Sequence, residues 1–468
     1  MPVARDAQAR PQPALAVAWR AVSDTVWEFS LRPGVKWHDG RDFTADGVAF
    51  FVARVPNVPN SPGSFAPMVR AIARVEVVDP LTVRLHTQAA HPLLPNELGS
   101  IFIVSRHAGE GAATDDYNSG KAMVGTGPYR LTRYTSGDRV EMARFAEHWA
   151  GTPAWEQVTF RFVPNDAARV AAVLAGDVDM IDQVPGTDLA KLRGDRRVAL
   201  SQIPGFRLLY MQVDHSRDGE VPSVTDNAGK PIPRNPFRDV RVRRALSIAI
   251  NREAIVERVR DGAAAPAGQF LPAGVFSYNP EIPVPAFDPE GARKLLAETG
   301  FPQGFRIVAH SPNDRYPNDA KVAQAVAQMW TRIGIQTQVE AMPWASFSGR
   351  NARQEFGMRL MGGASVTGEA SYPLTTTIGT FAAGGRRGAT NAGRYSNPAL
   401  DAMVEDAVRT VDDTAREEKL RAALKVAMDD VAIIPLLHVM NVWALKPGLQ
   451  HTPRMDERSS AIDVRPGG

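Results

Sequence analysis

The sequence predicts a mixed α/β protein of two or three lobes. Three observations carry this expectation. The chain has 468 residues with 44% hydrophobic content, enough to bury more than one core. Its first half holds paired runs of alternating apolar residues, and its second half repeats a helix followed by a short strand.

Residues 24 to 32, DTVWEFSLR, alternate apolar Val26, Trp27/Phe29 and Leu31 with polar neighbours, and RVEVVDPLTVRLHT repeats the pattern around an Asp79-Pro80 turn. Both read as hairpin strands. Between them, GVKWHDGRDFTADGVAFFVARV places His38, Asp39, Asp42 and Asp46 close together. A metal or acid/base site would need several of these groups to converge. Local chemistry explains them separately. His38-Asp39-Gly40 makes a turn, Thr44 stands where a helix cap belongs, and Asp46 in the first turn complements the helix dipole. The structural reading is therefore preferred.

MVGTGPYRLTRYTSGDRVEMAR carries a G-T-G, but the third glycine and the strand-to-helix setting of a nucleotide loop are absent, so it reads as a hairpin turning at Ser136-Gly137-Asp138. DAARVAAVLAGDVDMIDQVPGTDLAKLRG is an amphipathic helix closed by Gly176, then a short strand, then a helix from near Thr187. Asp177, Asp179 and Asp182 alternate with Val178, Met180 and Ile181, which suits the polar positions of a half-buried strand. A polar loop rich in proline ends near residue 240, taken as a lobe boundary. VRVRRALSIAINREAIVERV follows as one long helical segment. The alternating series then runs FDPEGARKLLAETG, FRIVAH, DAKVAQAVAQMWTRIG, IQTQVEAM.

Composition removes whole classes of function. The chain has no cysteine, so thiolate nucleophiles, disulfides and cysteine metal sites are excluded. The formal charge of +3 comes without a run of five or six basic residues, and no nucleic-acid partner is expected. G-x-S-x-G, H-E-x-x-H and Walker motifs are absent, so a hydrolase is the minor alternative. No cofactor is expected. The opening MPVARDAQARPQPALAVAW lacks a basic n-region followed by an apolar h-region, and no stretch approaches about eighteen apolar residues.

LRPGVKWHDGRDFTADGVAF, VGTGPYRLTRY, GDVDM, NPFRDVRVRRALSIAINREAI, FDPEGARKLLAETGF, WTRIGIQTQVE, YSNPALDAMV and DDVAIIPLLH occur in an order and spacing that resemble the family 5 extracellular solute-binding proteins. These are receptors of peptide, nickel and related ABC importers. The resemblance implies a periplasmic-binding-protein clamp with two lobes and an extra domain. In that scheme residues 1 to 122 form the extra domain, 123–240 with 446–468 the discontinuous first lobe, and 241–445 the second lobe. It implies a monomeric, non-catalytic periplasmic receptor that captures a small solute, a peptide or peptide-like molecule, and delivers it to a membrane permease. A metal chelate or another anionic solute is the alternative within the fold, for which His310, His438 and His451 are candidates by chemistry alone. It also implies an export signal and further residues ahead of PALAVAW, including a strand whose absence would leave an unpaired edge in the first lobe.

Candidate cleft residues follow partly from this resemblance and partly from position. Trp344 matches a cleft tryptophan, and Gln269 with Phe270 match a cleft loop. Tyr210, Gln212 and Asp214 lie on LLYMQVD, the strand that approaches the hinge; Asp214 has a loop-capping role as its alternative. Arg315 and Tyr316 follow the strand FRIVAH, at a strand's carboxyl end where open α/β sheets bind ligands, and Arg315 could hold a carboxylate. In peptide-binding members a Gly-Trp-x-x-Asp stretch supplies the aspartate for the peptide ammonium. Here MGGASVTGEASYPL keeps Gly362 but places Gly363 at the tryptophan and Val366 at the aspartate, with Glu369 nearby as a replacement acid.

Overall fold

The computed structural model describes residues 1–58, 65–365, 367–385 and 387–467. A four-stranded antiparallel sheet, in the order Ala16–Ser23, Val26–Leu31, Thr82–Thr87, Ile72–Asp79, is built from the two expected hairpins. Helix Ala45–Arg54 covers it, its Val48, Phe51 and Val52 sharing one buried cluster with Trp27, Phe29 and Leu85. Thr44 stands at the cap position, but its side chain makes no capping hydrogen bond.

The four clustered polar residues disperse to separate partners. The ring nitrogens of His38 meet the carbonyl of Gly127 at 2.9 Å and the amide of Gly125 at 3.3 Å. Asp39 meets His107, Asp42 meets Lys36 and Asp46 meets Arg106. The stretch is a scaffold joint between this sheet and the G-T-G turn. That turn opens a three-stranded antiparallel sheet, Tyr129–Thr135, Arg139–Arg144, Gln157–Arg161.

Helix Asp166–Ala175 ends at Gly176, whose φ of 83° gives the left-handed closure that glycine allows without strain. Strand Met180–Ile181 and helix Gly186–Arg193 follow as expected. Asp179 pairs with Lys446 and Asp182 accepts from Ser459, so this acidic trio is also divided. Strands Gln157–Arg161 and Met180–Ile181 are the outer strands of their sheets and together line a cavity of about 440 Å³.

An eight-stranded mixed sheet organises the rest. Its main path is Met180–Ile181, Ile434–Leu445, Ala199–Val213, Met358–Ala364, Arg306–Pro312, Val224–Thr225, with Ala264–Pro266 added to the second strand and Gln336–Met342 to the fifth. The parallel pairing of Arg306–Pro312 with Gln336–Met342 uses helix Asp319–Arg332 as its crossover. Side chains alternate across the sheet. Leu209, Met211 and Val213 enter one core with Phe237, Leu246 and Trp330, while Leu208 and Tyr210 enter another with Phe270, Phe347 and Leu424. The first core also draws in Val221, Val224 and Ile232 from the loop ahead of residue 240.

Two differences from the sequence reading have local causes. The long helical segment is two helices, Val240–Ile248 and Arg252–Val259, because Asn251 caps the second through the amide of Ala254. The strand read in LLYMQVD begins much earlier, at Ala199, and passes through Pro204-Gly205. Residues 199 to 204 pair with 440 to 445, the register breaks, and pairing resumes at Leu208 opposite His438. At the break, a Cβ on Gly205 would lie 2.5 Å from Oδ1 of Asn441. Asn441 in turn donates to the carbonyls of Arg454 and Met455 at 2.9 and 3.1 Å.

Candidate functional site

The site is assembled around the end of strand Met358–Ala364, where Gly362 and Gly363 face opposite sides of the sheet. A Cβ at residue 362 would lie 2.6 Å from the Tyr316 ring, and one at residue 363 would lie 3.0 Å from the tip of Phe270. Each glycine therefore makes room for one ring. Tyr316 donates its hydroxyl to the Gly362 carbonyl at 3.1 Å, and Phe270 lies 6.0 Å from Tyr210. Phe270 thus fills space beside the position where the peptide-binding pattern has tryptophan.

Trp344 opens helix Trp344–Ala352, stacks on Phe347 at 5.6 Å and meets Tyr316 edge-on at 6.3 Å. The guanidinium of Arg315 lies 5.3 Å from the Trp344 ring and 5.8 Å from the Tyr316 ring, within cation–π range. The loop carrying these groups is pinned by two carboxylates. Asp314 accepts from the Trp344 amide at 2.7 Å, and Asp319 accepts from the amides of Arg315 and Tyr316 at 3.1 and 3.0 Å.

The structure thus gathers Tyr210, Phe270, Arg315, Tyr316, Trp344, Gly362 and Gly363. Within this group Arg315 is exposed and Trp344 half-buried, while Tyr210, Phe270 and Tyr316 are buried. The remaining candidates have other engagements. Gln269 uses both ends of its amide on Asn279, bracing its own loop. Asp214 is fully buried, accepts from the amides of Ser216 and Arg217 and pairs with the Arg217 side chain, so its carboxylate is a loop cap. Gln212 is buried opposite Arg359, with its carbonyl oxygen unpartnered. Glu369 is buried against Arg416 at 3.3 Å with its other oxygen unpartnered. Burial raises its pKa and Arg416 opposes the rise. Val366 lies outside the described residues.

Two cavities flank the strand end. One, about 530 Å³, lies at the register break and is lined by Arg207, Arg260, Asn318, Met440, Asn441 and Glu457 among others. The second, about 660 Å³, lies between the amino-terminal segments and helix Asp413–Asp429, with Trp19, Trp27, Phe276, Glu369 and Arg416 in its wall. Arg207 was not among the sequence candidates. Its signal was available, a single charge inside the apolar run FRLLYMQV.

A serine, histidine and aspartate do come together elsewhere. Ser105 Oγ lies 2.9 Å from His107 Nδ1, and His107 Nε2 lies 2.5 Å from Asp39. Ser105 is wholly buried and its Oγ accepts the Ala108 amide as a helix cap, which holds the hydroxyl away from any substrate. Among the described residues, no group of three or more His, Cys, Asp or Glu could hold a metal ion.

The description "Bacterial extracellular solute-binding proteins, family 5 Middle" matches residues 10–385. The chain belongs to this family. As a family 5 member it is a bacterial extracellular solute-binding protein. It is 29% identical to the Heme-binding protein A of Haemophilus influenzae, covering 93% of this chain and 80% of that one. It is 26% identical to the Dipeptide-binding protein of Escherichia coli, covering 91% and 80%. A solved HbpA2 structure from Haemophilus parasuis superposes with a TM-score of 0.82 at 23% identity, covering 99% and 92%. The unliganded open form of the periplasmic murein tripeptide binding protein MppA gives 0.84 at 22%, covering 99% and 90%. These likenesses show that the family 5 solute-binding protein has the multi-domain clamp fold. Among the described residues, no helix is long and apolar enough to cross a membrane.

Proposed function

We propose that this family 5 protein is the periplasmic, monomeric receptor of an ABC importer that takes a peptide or peptide-like solute. The solute enters the cleft beside the register break of the two long strands, is held against Trp344, Tyr316 and Arg315, and is handed to the permease. The observation that carries this reading is the ring-and-guanidinium platform at the carboxyl ends of three strands, beside the cavity at the register break. In this scheme residues 1 to 122 form the additional domain, 123–240 with 446–468 the first lobe and 241–445 the second. Such a clamp closes by rotation at a few residues and needs no activated nucleophile.

Thermal unfolding of the intact chain tests the proposal. The panel is dipeptides, glutathione, hemin and a nickel–histidine chelate. A solute bound only by the folded state should raise stability by about 2.7 kcal/mol at a hundredfold excess over its Kd. Steady hydrolysis of a bound peptide, abolished by one substitution, would replace the receptor with an enzyme.

A further inference from the structure

The receptor reading requires the two lobes to move, and a hairpin of the additional domain stands across that movement. Strands Val3–Arg5 and Pro11–Pro13 pair antiparallel. The tip between them is preformed, since Asp6 accepts from the amides of Gln8 and Arg10 at 2.9 Å each. Toward the first lobe, the Ala7 carbonyl accepts from the Met455 amide at 2.8 Å and the Arg5 carbonyl from the Arg454 side chain at 3.1 Å. Arg454 and Met455 are the residues whose carbonyls hold Asn441 at the register break. Toward the second lobe, Arg10 donates to the Gly274 carbonyl at 2.6 Å. Asn96, whose own carbonyl accepts from Arg5 at 2.6 Å, donates to the Thr367 carbonyl at 3.2 Å. The hairpin thus joins the break to the chain just beyond strand Met358–Ala364.

Ala9 is the point of the tip. It is buried and shares a core with Phe270, Tyr395 and Met455. Its φ of 61° is left-handed, a conformation that costs any residue carrying a Cβ and that persists where the surrounding structure fixes it, switch regions among such places. Gly368 meets it with a φ of 74°, and a Cβ at residue 368 would stand 3.5 Å from the Cβ of Ala9. Packing beside this contact is incomplete, because the cavity of about 660 Å³ borders Ala9, Arg10 and Gly368. Elsewhere the additional domain is fastened to the first lobe, where His38 meets Gly125 and Gly127 and where the Arg32 guanidinium lies 4.5 Å from the Trp149 ring. A rotation of the second lobe against the first must therefore carry Gly274, Thr367 and Gly368 away from the tip.

We propose that this hairpin is a latch. Its tip, seated between Met455 and Gly368, holds the two lobes in one arrangement and has to leave Gly368 before they rotate about the register break. The inference rests on the receptor reading and adds to it the part that regulates the movement. A few hydrogen bonds and one buried methyl group bias a two-state clamp, and they are weak enough for a solute with unequal affinity for the two states to release them.

The chain has no cysteine, so Ala9→Cys/Gly368→Cys introduces a single pair, at a Cβ separation suited to a disulfide. The intact protein carrying it should cross-link under mild oxidant and reopen with reductant, as read by thiol titration. The amides of Phe206 and Met440, bonded to the carbonyls of Met455 and Ala263, report on the pivot. Their hydrogen exchange should be about tenfold slower in the oxidised form than in the reduced form, while that of Ile335, bonded to Trp330 inside the second lobe, stays the same. With the natural tip residues, Arg10→Ala/Asn96→Ala should instead speed exchange at the same two amides by about tenfold, as expected for the loss of two hydrogen bonds. Small-angle scattering with hemin, the dipeptide Ala-Phe or a nickel–histidine chelate should show a change of shape in the reduced form that is lost in the oxidised form. A pair that does not cross-link, pivot exchange indifferent to the cross-link or to the double variant, or a solute-induced change that survives oxidation overturns the latch and leaves the receptor reading standing. If no probe alters either form, the receptor reading fails and the exchange at Phe206 and Met440 decides the latch.

Discussion

Tyr316 stands on Gly362. The hydroxyl of the one meets the carbonyl of the other at 3.1 Å, and no side chain fits at residue 362 without entering the ring. Gly362→Ala must therefore push Tyr316 out of its seat. We expect a stability loss of about 1–3 kcal/mol, typical of overpacking, together with weaker solute binding because Arg315 leans on the same ring. Urea unfolding and titration read the two effects separately, and a variant with unchanged stability would show that the tyrosine has room to yield.

Trp344 is half-buried, and its outer surface is available to a solute. Trp344→Ala should weaken binding strongly while leaving most of the stability intact. A packed interior tryptophan behaves otherwise, costing about 3–5 kcal/mol when truncated. Trp330, fully buried with its indole N–H on the Leu246 carbonyl at 2.8 Å, supplies that comparison in the same molecule. If Trp344→Ala melts as early as Trp330→Ala and the remaining folded protein binds normally, Trp344 is core.

His438 lies where pairing of the two long strands resumes after the register break, and burial lowers its pKa from 6.5 to about 4. A lowered histidine is neutral in the folded chain while the unfolded chain takes up a proton. Its contribution is thus present above pH 6.5 and lost as pH falls toward 4. Over that window the loss is on the order of 3 kcal/mol, from about 1.4 kcal/mol per pKa unit. His438→Gln should flatten the pH dependence of unfolding between these limits. An unchanged slope would assign the acid sensitivity to other groups, among them His215, whose pKa burial lowers to about 3.

Glu369 and Arg416 form a buried pair, so Arg416→Ala should destabilise by about 3–5 kcal/mol by leaving a carboxylate uncompensated. The same pairing makes Glu369 a poor counter-charge for a ligand ammonium, and the aliphatic Val366 offers none. A free peptide and its N-acetylated form are therefore expected to bind within about tenfold of each other, less than the loss of a buried ion pair would give. A much tighter free peptide, with the preference erased by Glu369→Gln, would return Glu369 to the ligand site.

The elements set by local chemistry were legible in the sequence. Alternation marked the hairpins, and Gly176 marked the close of its helix. Asn251 carries a cap signal that divides the helical segment, masked in the sequence by apolar spacing that runs on through it. The strand through Pro204-Gly205 was hidden for the opposite reason, since those residues read as a stop while the pairing partners that carry the strand past them lie more than two hundred residues away. The site divides in the same way. The placement of Arg315 and Tyr316 followed from a strand's carboxyl end. The engagement of Gln269 with Asn279 and of Glu369 with Arg416 depends on contacts that only the fold creates.

In the proposed clamp, a pivot at the Gly205 register break would set a mechanical ratio. Strand Ala199–Val213 continues beyond Leu208 in unbroken register with Met358–Ala364, although its pairing with Ile434–Leu445 shifts once more at Leu209/Tyr210, and at about 3.3 Å per residue a point seven residues from the pivot is roughly 23 Å away. Each degree of rotation at the pivot then moves that point by about 0.4 Å, as follows from that strand length. A side chain at residue 205 that shifted Asn441 by a few tenths of an ångström would be read out as a much larger displacement at the far end of the arm.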